Sequence, residues 1–212
     1  MSAEFVIGIG GQLENGKDIL ADHLVRVLPG GPWVRDAFAA EVKKVFEQTF
    51  NVSREWVERW KRIDSPPPGF LKTVRQMLID IGDGFRSFRA EVWIEKALRR
   101  SGERVILSDA RYLNEMQAVK DRGGVTVAIY RPDRDNDNPN ASERQLRQYV
   151  QKFIDAGVRG ETGDALVDLF VVNDAGVDGL FAFADRVIVP YIVERAASAR
   201  VHAQADATRR AA

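Results

Sequence analysis

The chain predicts an α/β fold of the doubly wound type, a parallel sheet covered by helices. Three observations carry this. Short apolar runs of strand length recur along the sequence, stretches of helical spacing separate them, and the first run leads through a glycine-rich turn into a helix. Apolar runs that are continuous rather than alternating suit strands buried on both faces.

The elements follow in order. Phe5–Ile9 is the first strand, and the apolar spacing of Ile19–Val25 predicts the helix after the turn. Trp33-Val34 reads as a very short further strand. Asp36–Phe50 reads as a helix capped by Asp36, and Ser53–Lys61 as another capped by Ser53. Ser65-Pro66-Pro67-Pro68-Gly69 is a rigid break, after which helical periodicity resumes from Phe70. Glu91–Arg100 and Glu115–Arg122 are further helices, the second with Asn114 as cap and closed by Gly123-Gly124. Arg104–Ser108, Val125–Tyr130 and Leu169–Val172 are the remaining strands. Arg131–Asn140 is a polar loop directly after a strand, where open α/β sheets place their ligands. From about Ala197 onward large apolar residues are few, which reads as a frayed helix end and a flexible tail. No internal repeat is present.

Bulk composition narrows the function classes. The 212 residues, 45% hydrophobic, suit one domain with a substantial core. Lys plus Arg and Asp plus Glu number 31 each, so no global field draws the chain onto nucleic acid or membrane. There are no cysteines, which excludes disulfides, thiolate metal sites and a thiol nucleophile. No apolar run reaches membrane-spanning length, and the sequence enters its first strand almost at once, so no secretory leader is expected. The expectation is a cytoplasmic protein without nucleic-acid or membrane partners.

The chemistry begins at Gly11-Gln12-Leu13-Glu14-Asn15-Gly16-Lys17-Asp18. It reads G-x-x-x-x-G-K-D, one residue from the phosphate-binding pattern G-x-x-x-x-G-K-[ST]. A strand, a glycine-rich turn and a helix N-terminus aim several backbone N–H groups at one spot that favours anions, and Lys17 adds a full charge. A dinucleotide fingerprint beginning at Gly8 and Gly10 fails, because Leu13 stands where it needs glycine. Asp18 replaces the hydroxyl residue that ordinarily ligates Mg²⁺. As a hard oxygen donor it could hold the ion directly or through water, or it could serve only as a favourable charge at the helix start.

A second constellation lies at the end of Arg104–Ser108. Asp109 stands at a strand terminus in the Walker-B position, suited to orient Mg²⁺, and Arg111 two residues on could face a phosphoryl group. Further cations are available in Arg75, Arg86 and Arg89, and in Arg131 and Arg134 of the polar loop. Spacing alone does not say which of them converge.

These residues resemble the bacteriophage deoxynucleoside monophosphate kinases. The specific parts are the G-K-D loop and Ser108-Asp109-Ala110-Arg111-Tyr112-Leu113-Asn114-Glu115, which is similar to the family's S-D-x-R-x-x-N-E block. Weaker similarity extends over Asp36–Lys43, over Arg75 to Arg86 with Gly82 between, over Val92-Trp93, over Ala141-Ser142-Glu143, and over Asp168 to Asn173. In all, it covers about residues 5 to 190. Two departures bear on the acceptor base: Ile79 stands where the family often has glutamine, with Gln76 displaced, and Asn140 lies where a histidine often precedes the S-E pair.

The resemblance implies a P-loop three-layer α/β/α domain over residues 1–198, with a parallel five-stranded sheet. A helical acceptor-binding insert would occupy 36–100, a small lid 131–150, and a flexible tail 199–212. It implies transfer of a phosphoryl group from ATP, with Mg²⁺, to a deoxynucleoside monophosphate. ATP would be held by Gly11, Asn15, Gly16, Lys17, Asp18 and Asn173. The acceptor would meet Lys43, Arg75, Arg86, Trp93, Asp109, Arg111 and Glu115. Lys17, Arg111 and Arg131 would serve the transfer, and Asp18 and Asp109 the metal. A homodimer is compatible with this reading. A kinase for a nucleoside or dephospho-coenzyme A, or an ATP-binding module without transfer, are the alternatives that an acceptor screen separates.

Overall fold

The structure, a computed structural model, describes residues 5–100, 104–134 and 141–199. They divide into two compact units: one drawn from the chain before residue 38 and after residue 100, the other formed by Phe38–Arg100.

The first unit is built on a sheet of six strands among the described residues. These are β1 (Phe5–Gly10), β2 (Val34–Asp36), β3 (Arg104–Ala110), β4 (Val125–Tyr130), β5 (Gly160–Glu161) and β6 (Leu169–Val172), in the order β2-β3-β1-β4-β6-β5. Every pairing from β2 to β6 is parallel, and β5 runs antiparallel to β6. The expected five-stranded parallel sheet is thus corrected to six strands with one antiparallel edge. A two-residue strand leaves no apolar pattern to read. Its pairing depends on the chain reversal after it, where the Asp164 carboxylate accepts hydrogen bonds from the backbone N–H groups of Leu166 and Val167.

The central strand β1 is buried at every residue, as its continuous apolar run requires. Side chains alternate across the sheet. On one face Ile7, Ile9, Ile106, Val127 and Val171 form a core with α1 (Lys17–Val27) and α8 (Gly176–Phe183). The chain after α8 passes through a π-helical stretch, Ala184–Ile188, and stays helical over residues 189–199, adding Ile188 and Ile192 to that core. The other face is covered by α6 (Leu113–Lys120) and α7 (Ala141–Asp155). There Met116 and Val119 of α6 are fully buried, and Phe153 of α7 lies 5.5 Å from the Phe170 ring.

The second unit is all helical: α2 (Ala40–Phe50), α3 (Arg54–Trp60), α4 (Val74–Phe88) and α5 (Val92–Arg100). Phe46, Val57 and Val74 form its buried centre, with Trp56 and Phe70 stacked around Phe46. The Trp93 indole N–H donates to the Gly82 carbonyl at 2.9 Å and ties α5 to α4.

Several local readings move. Ser53 caps α3 as expected, accepting from Trp56 N at 3.2 Å. Asp36 does not cap α2. It ends β2 and accepts from Ala37 N at 2.8 Å, while the helix starts at Ala40. Asn114 does not cap α6 either, because it lies exposed within the helix and Tyr112 is the cap residue. Thr73 caps α4, so the helix begins at Val74, four residues after the Phe70 expected from periodicity. Gly123 closes α6 with φ 68°, a left-handed turn that glycine adopts without strain. The loop positions 135–140, including Asn140, the side chains of Ser142 and Glu143, and the tail beyond residue 199 lie outside the described residues. No helix among the described residues is long and apolar enough to cross a membrane.

Candidate functional site

The site is built where β1 ends. Gly11–Gly16 loops over the sheet edge and α1 starts at Lys17. Gly16 holds φ 98°, a left-handed conformation that turns the chain into the helix while leaving the first-turn N–H groups pointing outward. A Cβ at Gly11 would lie 2.6 Å from the Ile129 carbonyl, so the loop packs against β4 only because no side chain intervenes. Two buried amides fix its shape. Asn15 Nδ2 donates to the Ile129 carbonyl at 3.0 Å, and Asn173 Nδ2, at the end of β6, donates to the Asn15 carbonyl at 3.0 Å. Lys17 is 6% exposed as a residue, and its ammonium curls back to donate to the Gln12 carbonyl at 2.8 Å. A cationic group and a helix N-terminus thus share one concave loop, which is an anion-binding arrangement.

The D-x-x-x-x-N element divides. Asp168 is a structural anchor: it accepts from Thr126 N, Thr126 Oγ1 and Lys120 Nζ, joining β4, α6 and β6. Asn173, five residues on, is the clamp on the loop.

Asp18 lies on the first turn of α1 in a polar cluster. Its Oδ1 accepts from Arg35 Nη2 and from Ser108 Oγ, the latter at 3.0 Å. Arg35, in the middle of β2, also donates through Nη1 to both oxygens of Asp22 at 2.8 and 2.9 Å and through Nε to Ser108 Oγ at 3.2 Å. Burial works against its charge, but Asp22 and Asp18 outweigh it and hold the guanidinium above its ordinary range. The Asp18 carboxylate and the Ser108 hydroxyl are hard oxygen donors, and Asp109 follows Ser108 in the chain. No group of three or more acids or histidines among the described residues is placed to hold a metal. A carboxylate beside a serine hydroxyl, as Asp18 and Ser108 provide, suits Mg²⁺, which takes one or two carboxylates and completes its shell with phosphate oxygens and water.

Glu115 has a role the sequence did not suggest. It is 2% exposed, and its Oε2 accepts from the backbone N–H of Arg111 at 2.7 Å and of Tyr112 at 3.2 Å. It therefore fixes the turn that presents Arg111. Beside that turn a cleft is lined by Gly10, Gly11, Gln12, Arg111, Tyr130 and Arg147. The Arg147 guanidinium lies over the Tyr130 ring, 5.2 Å from its centroid. Arg131, at the end of β4, holds Asp133 by two hydrogen bonds and reaches to 3.5 Å from the Glu14 carbonyl, while Arg134 pairs with the Glu14 carboxylate at 3.1 Å. The Arg131 hydrogen bonds hold the Asp133 carboxyl below its ordinary range.

In the helical unit, Trp93 is 3% exposed in the α4–α5 packing and Arg75 is exposed on α4. Arg86 pairs with Asp83 at 3.3 Å. Lys43 pairs with Glu58 at 2.6 Å, and Lys61 with the same carboxylate at 2.7 Å.

Reading the sequence missed Arg35, Asp22, Ser108 as a partner of Asp18, and Arg147. A charged residue in a three-residue strand carries no signal of its own. The i,i+4 spacing of Asp18 and Asp22 places both on one helix face, but it names no cation between them.

No protein-family profile matches the chain. It is 26% identical over 161 residues to an Acanthamoeba polyphaga mimivirus protein named "Putative deoxynucleotide monophosphate kinase", covering 67% of this chain and 82% of that one. A solved structure of an unliganded sugar kinase from Janibacter sp. aligns over 88% of this chain and 94% of its own, with TM-score 0.36 and 13% identity.

Proposed function

We propose that the protein transfers a phosphoryl group from ATP to a deoxynucleoside monophosphate. The observation that carries this is the loop Gly11–Asp18. It stands at the C-terminal end of a central parallel strand and runs into a helix N-terminus, and the buried Lys17 ammonium curls over it. The name of the mimivirus relative supports the acceptor class.

Phosphoryl transfer asks the protein for positioning and charge rather than for covalent chemistry. Gly11, Asn15, Gly16 and Lys17 hold the donor phosphates, with Asn173 keeping the loop closed on itself. Lys17 moves from the Gln12 carbonyl to a phosphate oxygen. Arg111 and Arg131, with Arg147 nearby, supply cations for the transferred group. Lys43, Arg75 and Arg86 are assigned to the acceptor, and Trp93 and Glu115 to holding the backbone that presents such groups. Asp18 and Asp109 would hold Mg²⁺, whose contribution is to neutralise charge on the phosphate oxygens. No general base is required, since the acceptor phosphate is already ionised.

The test is coupled ADP release with the four deoxynucleoside monophosphates and their ribonucleotide counterparts. Turnover with one or more deoxynucleotides is expected, and Lys17→Ala should remove it by roughly two or more orders of magnitude in a protein that still folds. Turnover in folded Lys17→Ala near that of the wild type overturns the loop assignment. ATP binding without acceptor-dependent turnover leaves a nucleotide-binding module.

A further inference from the structure

The aspartate that replaces the usual loop hydroxyl is already in use. Arg35 spends all three guanidinium nitrogens here: Nη2 on Asp18, Nη1 on both oxygens of Asp22, and Nε on Ser108 Oγ. Asp18 and Asp22 are four residues apart on α1 and so share one helix face. Of the two, Asp22 receives Nη1 on both of its oxygens, and Asp18 receives Nη2 on one.

An aspartate at this place poses a problem that serine or threonine does not. Its negative charge stands beside the spot where the loop would gather phosphates, and like charges repel even where, as here, the carboxylate is 60% exposed to solvent. Arg35 cancels that charge. It also occupies Asp18 Oδ1, so a divalent cation approaching the same oxygen meets a guanidinium.

We propose that Arg35 is a counter-ion latch on Asp18: it neutralises the aspartate in the cation-free protein and yields it to Mg²⁺ by withdrawing onto Asp22. The withdrawal breaks the hydrogen bonds from Arg35 to Asp18 and Ser108 and retains the two to Asp22. Asp22 is thereby a parking site for the guanidinium, and Ser108, bonded to both Arg35 and Asp18, stays behind as the oxygen partner of Asp18. This rests on the reading of the protein as a Mg²⁺-dependent phosphotransferase, and it names Arg35 and Asp22 as positioning residues for the cation.

The latch predicts opposite effects from two substitutions that a merely structural ion pair would move together. Binding of ADP to the full-length protein is measured by calorimetry over a Mn²⁺ series, with bound Mn²⁺ counted by electron paramagnetic resonance. In Arg35→Gln, Asp18 is vacant for the metal, so the half-saturating Mn²⁺ falls by about two- to fivefold, while ADP without metal binds more weakly. In Asp22→Asn the parking site is weakened and Arg35 stays on Asp18, so the half-saturating Mn²⁺ rises by a similar factor. In an Asp18→Asn background Arg35→Gln no longer changes it. Arg35→Lys, a point charge unable to bridge two carboxylates, should resemble Arg35→Gln in direction.

Thermal melts of each variant register fold loss separately. If the wild type binds ADP with Mn²⁺ but Arg35→Gln and Asp22→Asn shift the metal requirement in the same direction, or not at all, the latch is overturned and the phosphotransferase reading stands. If the wild type binds no ADP with or without Mn²⁺, that reading falls and the latch falls with it.

Discussion

Gly16 sets the geometry on which the rest of the loop depends. It holds φ 98°, and a Cβ there would lie 2.7 Å from Asn173 Nδ2, the atom that clamps the Asn15 carbonyl. An alanine must therefore bear about 1–2 kcal/mol of left-handed backbone strain and also push the clamp aside. Gly16→Ala is expected to lower the melting temperature by roughly 2–8 °C and to weaken ATP-analogue binding at least tenfold, about 1.4 kcal/mol. Asn173→Ala removes the clamp without straining the loop, so it should weaken nucleotide binding with a smaller loss of stability. Calorimetric binding together with a thermal melt separates the two effects. Unchanged binding in both variants would disconnect the loop from nucleotide recognition.

The turn between β3 and α6 depends on a buried acid. Glu115, 2% exposed, receives the backbone N–H groups of Arg111 and Tyr112. Glu115→Ala leaves those half-buried donors without this acceptor, which costs about 0.5–1.5 kcal/mol. Because the same carboxylate orients the segment bearing Arg111, the acceptor KM should rise while ATP affinity stays within a few-fold. Glu115→Gln keeps an acceptor oxygen and is expected to be milder on both counts. Steady-state kinetics with each substrate varied, set beside a urea melt, checks this. A Glu115→Ala protein as stable as the wild type would mean that the hydrogen bonds contribute nothing net. In the helical unit the Trp93 indole plays a comparable part, and Trp93→Phe should cost about 0.5–1.5 kcal/mol through the lost bond to Gly82.

At the scale of the whole chain, stability should fail in acid from two places at once. Burial pushes the Glu58 carboxyl up, but hydrogen bonds from Lys43 and Lys61 prevail and bring it to about 2. Asp164 is likewise pushed up by burial and brought to about 2 by Lys152, Tyr149 and the N–H groups of Leu166 and Val167. Both values lie below those of the unfolded chain, about 4.3 for Glu and 3.9 for Asp. The folded state therefore binds fewer protons, and the stabilisation is complete above pH ~4.5 and drains away as pH falls toward 2. Glu58 belongs to the helical unit and Asp164 to the sheet unit, so each unit has its own acid-sensitive contact. Urea melts from pH 7 to 2.5 should show midpoints falling below pH ~4.5, with Glu58→Gln and Asp164→Asn each flattening that limb. A flat profile in the wild type would contradict both assignments.

Four of the six strands, the glycine-rich loop and the alternation with helices were legible in the sequence alone. Phe5–Gly10, Val125–Tyr130 and Leu169–Val172 are continuous apolar runs because both faces are covered, and such runs are legible without coordinates. The loop was legible because its function needs particular residue types at fixed spacing. The antiparallel strand Gly160–Glu161 was not, since two residues have no period. Nor were the partners of Asp18: Arg35 is 17 positions away and Ser108 is 90, and only the pairing of β2 with β3 brings them to α1. The cap of α2 was misread because Asp36 was claimed by the end of a strand, and that of α6 because the cap residue is Tyr112, with the acid Glu115 three residues on supplying the acceptor from inside the helix. Local pattern encodes burial and backbone preference. Which carboxylate meets which cation depends on register between strands far apart in the chain, and that was decided by the tertiary structure.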